Sequence, residues 1–148
     1  MTVTLVPGYG ARLSPPWPPL PFGLPEAGVR RSLAARGPVS DSFVCGAAWA
    51  VGITVPGLTL TLSAGRSAGL EIISVTRTAD AWPVDVLGVD VFGWPADEVV
   101  AYLAEQDLPA PVVRPGSARF GDLWLTGHGR FDQAVLYAAE NVATASGK

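Results

Sequence analysis

Phe22-Gly23-Leu24-Pro25, running on to Val29, Leu33 and Ala34, has a counterpart in Phe92-Gly93-Trp94-Pro95, running on to Val99, Leu103 and Ala104. Corresponding residues lie 70 positions apart in a chain of 148. In each copy a proline stands where the first helical turn has no use for an N–H, and aliphatic residues then share one helix face. The reading predicts two helices, each followed by strands, in a tandem duplication.

Outward from these stretches, Thr2 to Val6 reads as a strand stopped by the turn pair Pro7-Gly8. Six prolines from Pro15 to Pro25 remove backbone donors, so this segment should run extended without entering the middle of a sheet. It is read as a connector pinned by Trp17 rather than as a polyproline recognition peptide. Gly37-Pro38 should end the first helix. Phe43 to Val55, Leu58 to Ser63 and Leu70 to Arg77 then read as strands, and Leu58 to Ser63 alternates as a half-buried antiparallel strand does. Val84 to Phe92 should lead into the second helix, which is expected to stop near Asp107. Val112-Val113, Arg119 to Thr126 and Phe131 to Ala138 follow, with Gly127-His128-Gly129 as the last turn.

The expected fold class is α+β, a pseudo-twofold tandem of two β-α-β-β-β units with the helices packed on antiparallel sheet. It should form one compact body over residues 1–148, with repeats at about 1–79 and 80–142 and a flexible tail at 143–148. One unit of this size buries one face of its sheet, and two together complete a core. A hydrophobic fraction of 49% with 16% charged residues excludes a disordered chain. A net charge of −3 and a pI near 5.0 argue against nucleic-acid binding. No apolar run approaches membrane-spanning length and no signal-peptide pattern opens the chain. A single cysteine, Cys45, fits a reducing compartment, so the expected location is cytoplasmic.

Leu5-Val6-Pro7-Gly8-Tyr9-Gly10, then Phe22-Gly23 and a helix with Val29 and Leu33, resembles the opening of uncharacterised small bacterial proteins built as tandem helix-plus-sheet repeats. Gly88-Val89-Asp90-Val91-Phe92-Gly93 before Ala96-Asp97-Glu98-Val99 is similar. The layout also resembles the beta-lactamase inhibitor protein and the outer-membrane assembly lipoprotein BamE. The chain has neither a lipoprotein cysteine near its start nor paired cysteines. The resemblance therefore implies a protein-binding scaffold of the immunity or antitoxin kind.

Few residues suggest chemistry. His128 is the only histidine and sits between two glycines, so it reads as a turn residue rather than a catalyst or zinc ligand. Cys45 has apolar neighbours and no adjacent base, and reads as a core residue. Gly65-Arg66-Ser67-Ala68-Gly69 lacks the lysine of a phosphate loop, and Gly8-Tyr9-Gly10 lacks the third glycine of a dinucleotide fingerprint. No catalytic, cofactor-binding or metal-binding residue is assigned, and the chain is read as a non-enzyme without a cofactor.

Charge is more informative. Up to Arg77 six arginines face three acids, while the remainder carries four bases against ten acids. Asp80, Asp85, Asp90, Asp97, Glu98, Glu105 and Asp107 follow one another with no lysine or arginine between Arg77 and Arg114. Either this span is a solvated surface or it steers a basic protein partner. The candidate partner-binding residues are Trp82, Asp85, Asp90, Asp97, Glu98, Glu105 and Asp107, with Trp82 as exposed anchor and Trp94 packed inward in the manner of Leu24. The expected function is a non-enzymatic binding module, an immunity protein or inhibitor that occludes a basic partner. The alternative is a small-molecule-binding or accessory domain using the groove between the repeats. An enzyme using Cys45 or His128 is a third reading, and an exposed strand edge leaves a homodimer open.

Overall fold

The computed structural model describes residues 2–15, 17–34, 38–65, 69–79 and 82–138. Strands β1 (Val3–Val6), β2 (Gly10–Leu13) and β3 (Leu20–Pro21) precede helix α1 (Glu26–Ala34). Strands β4 (Val39–Asp41), β5 (Trp49–Val55), β6 (Leu58–Ala64) and β7 (Ile72–Arg77) follow it. The chain then makes the hairpin β8 (Val84–Val86) and β9 (Val89–Asp90), helix α2 (Ala96–Ala104), and strands β10 (Val112–Arg114), β11 (Ser117–Phe120), β12 (Leu123–Thr126) and β13 (Gln133–Tyr137). The fold is mixed α+β. No helix among the described residues is long and apolar enough to cross a membrane.

Two sheets carry the strands. One has the order β3-β2-β1-β8-β9 and the other β10-β11-β12-β13-β7-β6-β5-β4. β1 and β8 pair in parallel, and the other neighbouring pairs are antiparallel. Each sheet therefore joins early strands to late ones, at β1·β8 and at β7·β13.

Register explains the core. Val51, Leu62, Ile73, Leu136, Leu123 and Phe120 are cross-strand partners in one row, and Ile53, Leu60, Val75, Ala134, Leu125 and Ala118 form the next. All twelve are buried. With period-two alternation, such rows build one apolar sheet face, and each large aliphatic side chain so buried contributes roughly 1.5 to 3 kcal/mol. Val29 and Leu33 of α1 and Val99 and Leu103 of α2 join the same cluster. The proline-rich connector supplies only β3 at a sheet edge, and Trp17 is half-buried against the core.

Several boundaries differ from the sequence reading. Helix α1 follows three strands and α2 follows two, and each precedes four, where one strand before and three after were expected. The added strand after α1 is β4, three residues long and too short to display alternation, whereas β10 falls on the expected strand at Val112-Val113. Phe43 to Ala48 lies in a loop between β4 and β5, so Cys45 is exposed rather than part of the core. Val84 to Phe92 folds back on itself, because Leu87 and Gly88 both take positive φ, 52° and 96°, as a tight hairpin turn requires. Arg119 to Thr126 divides at Gly121-Asp122 into β11 and β12. Helix α2 ends at Ala104, short of Asp107. Gly37, Asp80, Arg66 to Ala68 of the glycine loop, and the tail at 143–148 lie outside the described residues.

Candidate functional site

The acidic residues do not act as one group. Asp97 and Glu98 occupy the first turn of α2, where their charge is favoured by the positive end of the helix dipole, and both are exposed. Glu105 and Asp107 are exposed just beyond the other end of the helix. Asp85 and Asp90 are opposite each other across the β8–β9 hairpin and half-buried. Asp85 accepts a hydrogen bond from the Gly88 N–H at 3.3 Å.

Asp90 is a structural acceptor. Its Oδ1 receives the N–H groups of Phe92 at 3.2 Å, Gly93 at 3.1 Å and Val84 at 3.4 Å, tying the hairpin to the turn that opens α2. Asp90→Ala is expected to lower unfolding free energy by about 2 kcal/mol, the scale of hydrogen bonds to a charged group. Chemical denaturation would read this loss, and a change below about 0.5 kcal/mol would contradict the role.

The aromatic assignments exchange places. Trp82 is half-buried against the core, whereas Trp94 is 44% exposed and meets Tyr102 edge-on with ring centroids 6.3 Å apart. Tyr102 is fixed by donating its hydroxyl to the Leu87 carbonyl at 2.6 Å. Trp94 thus leans on the helix surface instead of entering the core as Leu24 does.

Two arginines distant in sequence enter this acidic region. Arg77 donates to the Phe92 carbonyl at 3.2 Å, Arg130 donates to the Gly93 carbonyl, and the Ala96 N–H donates to the Gly129 carbonyl at 2.8 Å. The β12–β13 loop thereby docks on the start of α2. Counting charges along the chain missed this, because one cation comes from β7 and the other from the β12–β13 loop.

Among the described residues, the two catalytic candidates do not come together. Cys45 lies in the β4–β5 loop, beyond the Trp49 end of the sheet, and His128 lies beyond the Thr126 end, in the β12–β13 loop. The two are at opposite strand ends, and His128 is exposed beside Gly116. Among the described residues no group of histidine, cysteine, aspartate and glutamate could hold a metal ion.

A second surface was not foreseen. The outer face of the eight-stranded sheet carries the cross-strand row Ser40, Gly52, Thr61, Ser74, Val135, Trp124, Arg119 and Val112. Most of this face is small and uncharged, but its β10–β13 end is aromatic and cationic. Trp124, 41% exposed, lies 5.7 Å from Tyr137 between ring centroids, and the Arg119 guanidinium sits 4.6 Å over the Trp124 ring. A shallow groove of about 220 Å³ runs past Trp124, Arg119, Arg114, Val112 and Thr126. Asp122, in the β11–β12 turn, has its carboxyl held above the ordinary range by burial, against a lowering influence from Arg119. Its folded form binds a proton more readily than the unfolded chain. This group therefore favours folding at acid pH, and its contribution fades as pH rises through the shifted value. Leu123-Trp124-Leu125-Thr126 contained one signal of the surface, a tryptophan at the wet position of an alternating strand.

No protein-family model, curated protein or solved structure matches this chain.

Proposed function

We propose that the chain is a non-enzymatic protein-binding module that presents the acidic surface of α2 to a basic partner, in the manner of an immunity protein or inhibitor. The observation that carries the reading is the exposure of Asp97, Glu98, Glu105 and Asp107 on and beside one short helix, next to the exposed Trp94. Carboxylates around an aromatic anchor suit an interface with a charged rim, where charge sets encounter rate and the ring supplies buried area. Trp94 replaces Trp82 as the anchor in this reading, and Asp90 drops out of it.

A tandem origin is part of the same proposal. A helix followed by four strands occurs twice, preceded by three strands in the first half and two in the second, and Val29 and Val99 occupy matching buried helix positions. In each half the loop before the last strand bonds the turn that opens the helix: the Leu70 N–H donates to the Leu24 carbonyl at 2.8 Å, and the Ala96 N–H to that of Gly129.

Changing Asp97, Glu98 and Glu105 together to lysine is expected to slow capture of the partner at low salt by about tenfold or more, the range of electrostatic steering. Stopped-flow or surface-plasmon rates against a partner recovered by the unmodified chain would measure it. Unchanged rates at low ionic strength would reject the acidic surface as the contact.

A further inference from the structure

The groove on the outer sheet face has a charge opposite to that of α2. Arg114 pairs across β10–β11 with Ser117, and Arg119 lies two residues further along β11. The two arginines are therefore diagonal neighbours on one face, about 7 Å apart by sheet geometry. Like charges so placed repel, and among the described residues neither makes an ion pair. Arg119 is nonetheless held in position, its Nε donating to the Gly121 carbonyl at 3.2 Å and its guanidinium resting on Trp124. Asp122 influences Arg119 without bridging to it. Two guanidiniums without an ion pair among the described residues, that of Arg119 held in position and that of Arg114 exposed beside it, suit a local carboxylate pair.

The backbone decides how such a group can lie. From the Arg114·Ser117 pair beside the Pro115-Gly116 turn, hydrogen-bonded and non-bonded pairs alternate, so Val113 is the β10 residue facing outward from the edge. The neighbouring outward positions are Pro111 and Pro115, which have no N–H. An added strand would find one donor, so this edge is closed to sheet extension. A ligand must lie over the face, not along the edge.

We propose that this groove binds an extended acidic segment of another protein, with two carboxylates at alternate residues and an aliphatic side chain beside them. Alternate residues of an extended chain are about 7 Å apart, close to the spacing of diagonal positions in the sheet at which the two arginines stand. The aliphatic group covers Trp124, Val135 and Tyr137. The overall negative charge of the protein opposes long polyanions, whereas a short acidic motif meets only the local arginines. With α2 directed to a basic partner, this second surface makes the chain two-faced. The inference stands on its own observations and does not require the reading of α2.

A fluorescein-labelled peptide of pattern glutamate-serine-glutamate-serine-leucine, titrated by fluorescence anisotropy, tests the inference, with the lysine-for-glutamate peptide as control. The glutamate peptide is expected to bind and to weaken with added salt, and the lysine peptide to show no saturable binding. The double variant Arg114→Glu with Arg119→Glu, and separately Trp124→Ala, should each weaken binding about tenfold or more. Both sites are at the surface, and unchanged circular dichroism would establish that the fold survives. Lysine at Asp97, Glu98 and Glu105 should leave this affinity unaltered, which separates the two surfaces. Equal binding by the double variant, equal binding of the lysine peptide, or no binding of the glutamate peptide to the folded chain would overturn the inference. Tighter binding of a single-stranded oligonucleotide or an anionic vesicle through the same arginines would replace the peptide as occupant.

Discussion

Alanine in place of Gly127 is expected to lower the unfolding free energy by about 3 kcal/mol, through backbone strain and overpacking together. Gly127 has φ of +150°, and a Cβ there would meet the Arg130 carbonyl and come within 2.7 Å of the Phe131 Cα. Both obstacles belong to the backbone of the loop, so no side-chain rotation relieves them. The same loop sends the Gly129 carbonyl and the Arg130 guanidinium to the start of α2. Hydrogen exchange at the first turn of α2 should therefore accelerate in the variant. Gly129→Ala is the control. Gly129 also has a positive φ, +73°, but its Cβ would meet open space, so the loss should be about 1 kcal/mol, the left-handed penalty alone. Urea unfolding of both variants decides the matter, and equal losses would remove the steric part of the argument.

Leu62→Ala is expected to remove about 3 to 4 kcal/mol, a large share of the 5 to 15 kcal/mol typical of a domain. Leu62 is fully buried in β6, with Val51 and Ile73 as its cross-strand neighbours. Its loss leaves a void between two strands held by their own ladders, which have little freedom to close it. Thr61→Ala, one residue away on the outer face, should change stability by about 0.5 kcal/mol or less. Denaturation midpoints of the pair measure the two-sidedness of the sheet directly, and similar losses at both positions would contradict it.

Legibility followed the range of the interactions. Helix positions at Val29, Leu33, Val99 and Leu103 were readable because helical spacing is a local property that burial then uses. Leu58 to Ser63 was readable for the same reason at period two. The three-residue strand β4 was not, since a pattern that short carries no periodicity. The loop at Phe43 to Ala48 misled because its composition is that of a strand interior, while Phe43 is 90% exposed. Among the candidate site residues, Asp97, Glu98, Glu105 and Asp107 are exposed as a charged surface would require. Asp90 is occupied by three backbone donors, a use that depends on where the chain turns.

The sequence by itself determined the two helices, the alternating strands between them, the recurrence of the Phe-Gly-x-Pro stretch and the absence of a catalytic set adjacent along the chain. Tertiary structure alone decided that β1 pairs with β8, that Arg77 and Arg130 enter an otherwise acidic region, and that Trp124, Arg119, Arg114 and Tyr137 share one face. The reason is physical. Periodicity and turn chemistry act over a few residues, whereas cross-strand register brings distant residues within contact distance, and a linear count of charges has no access to that register.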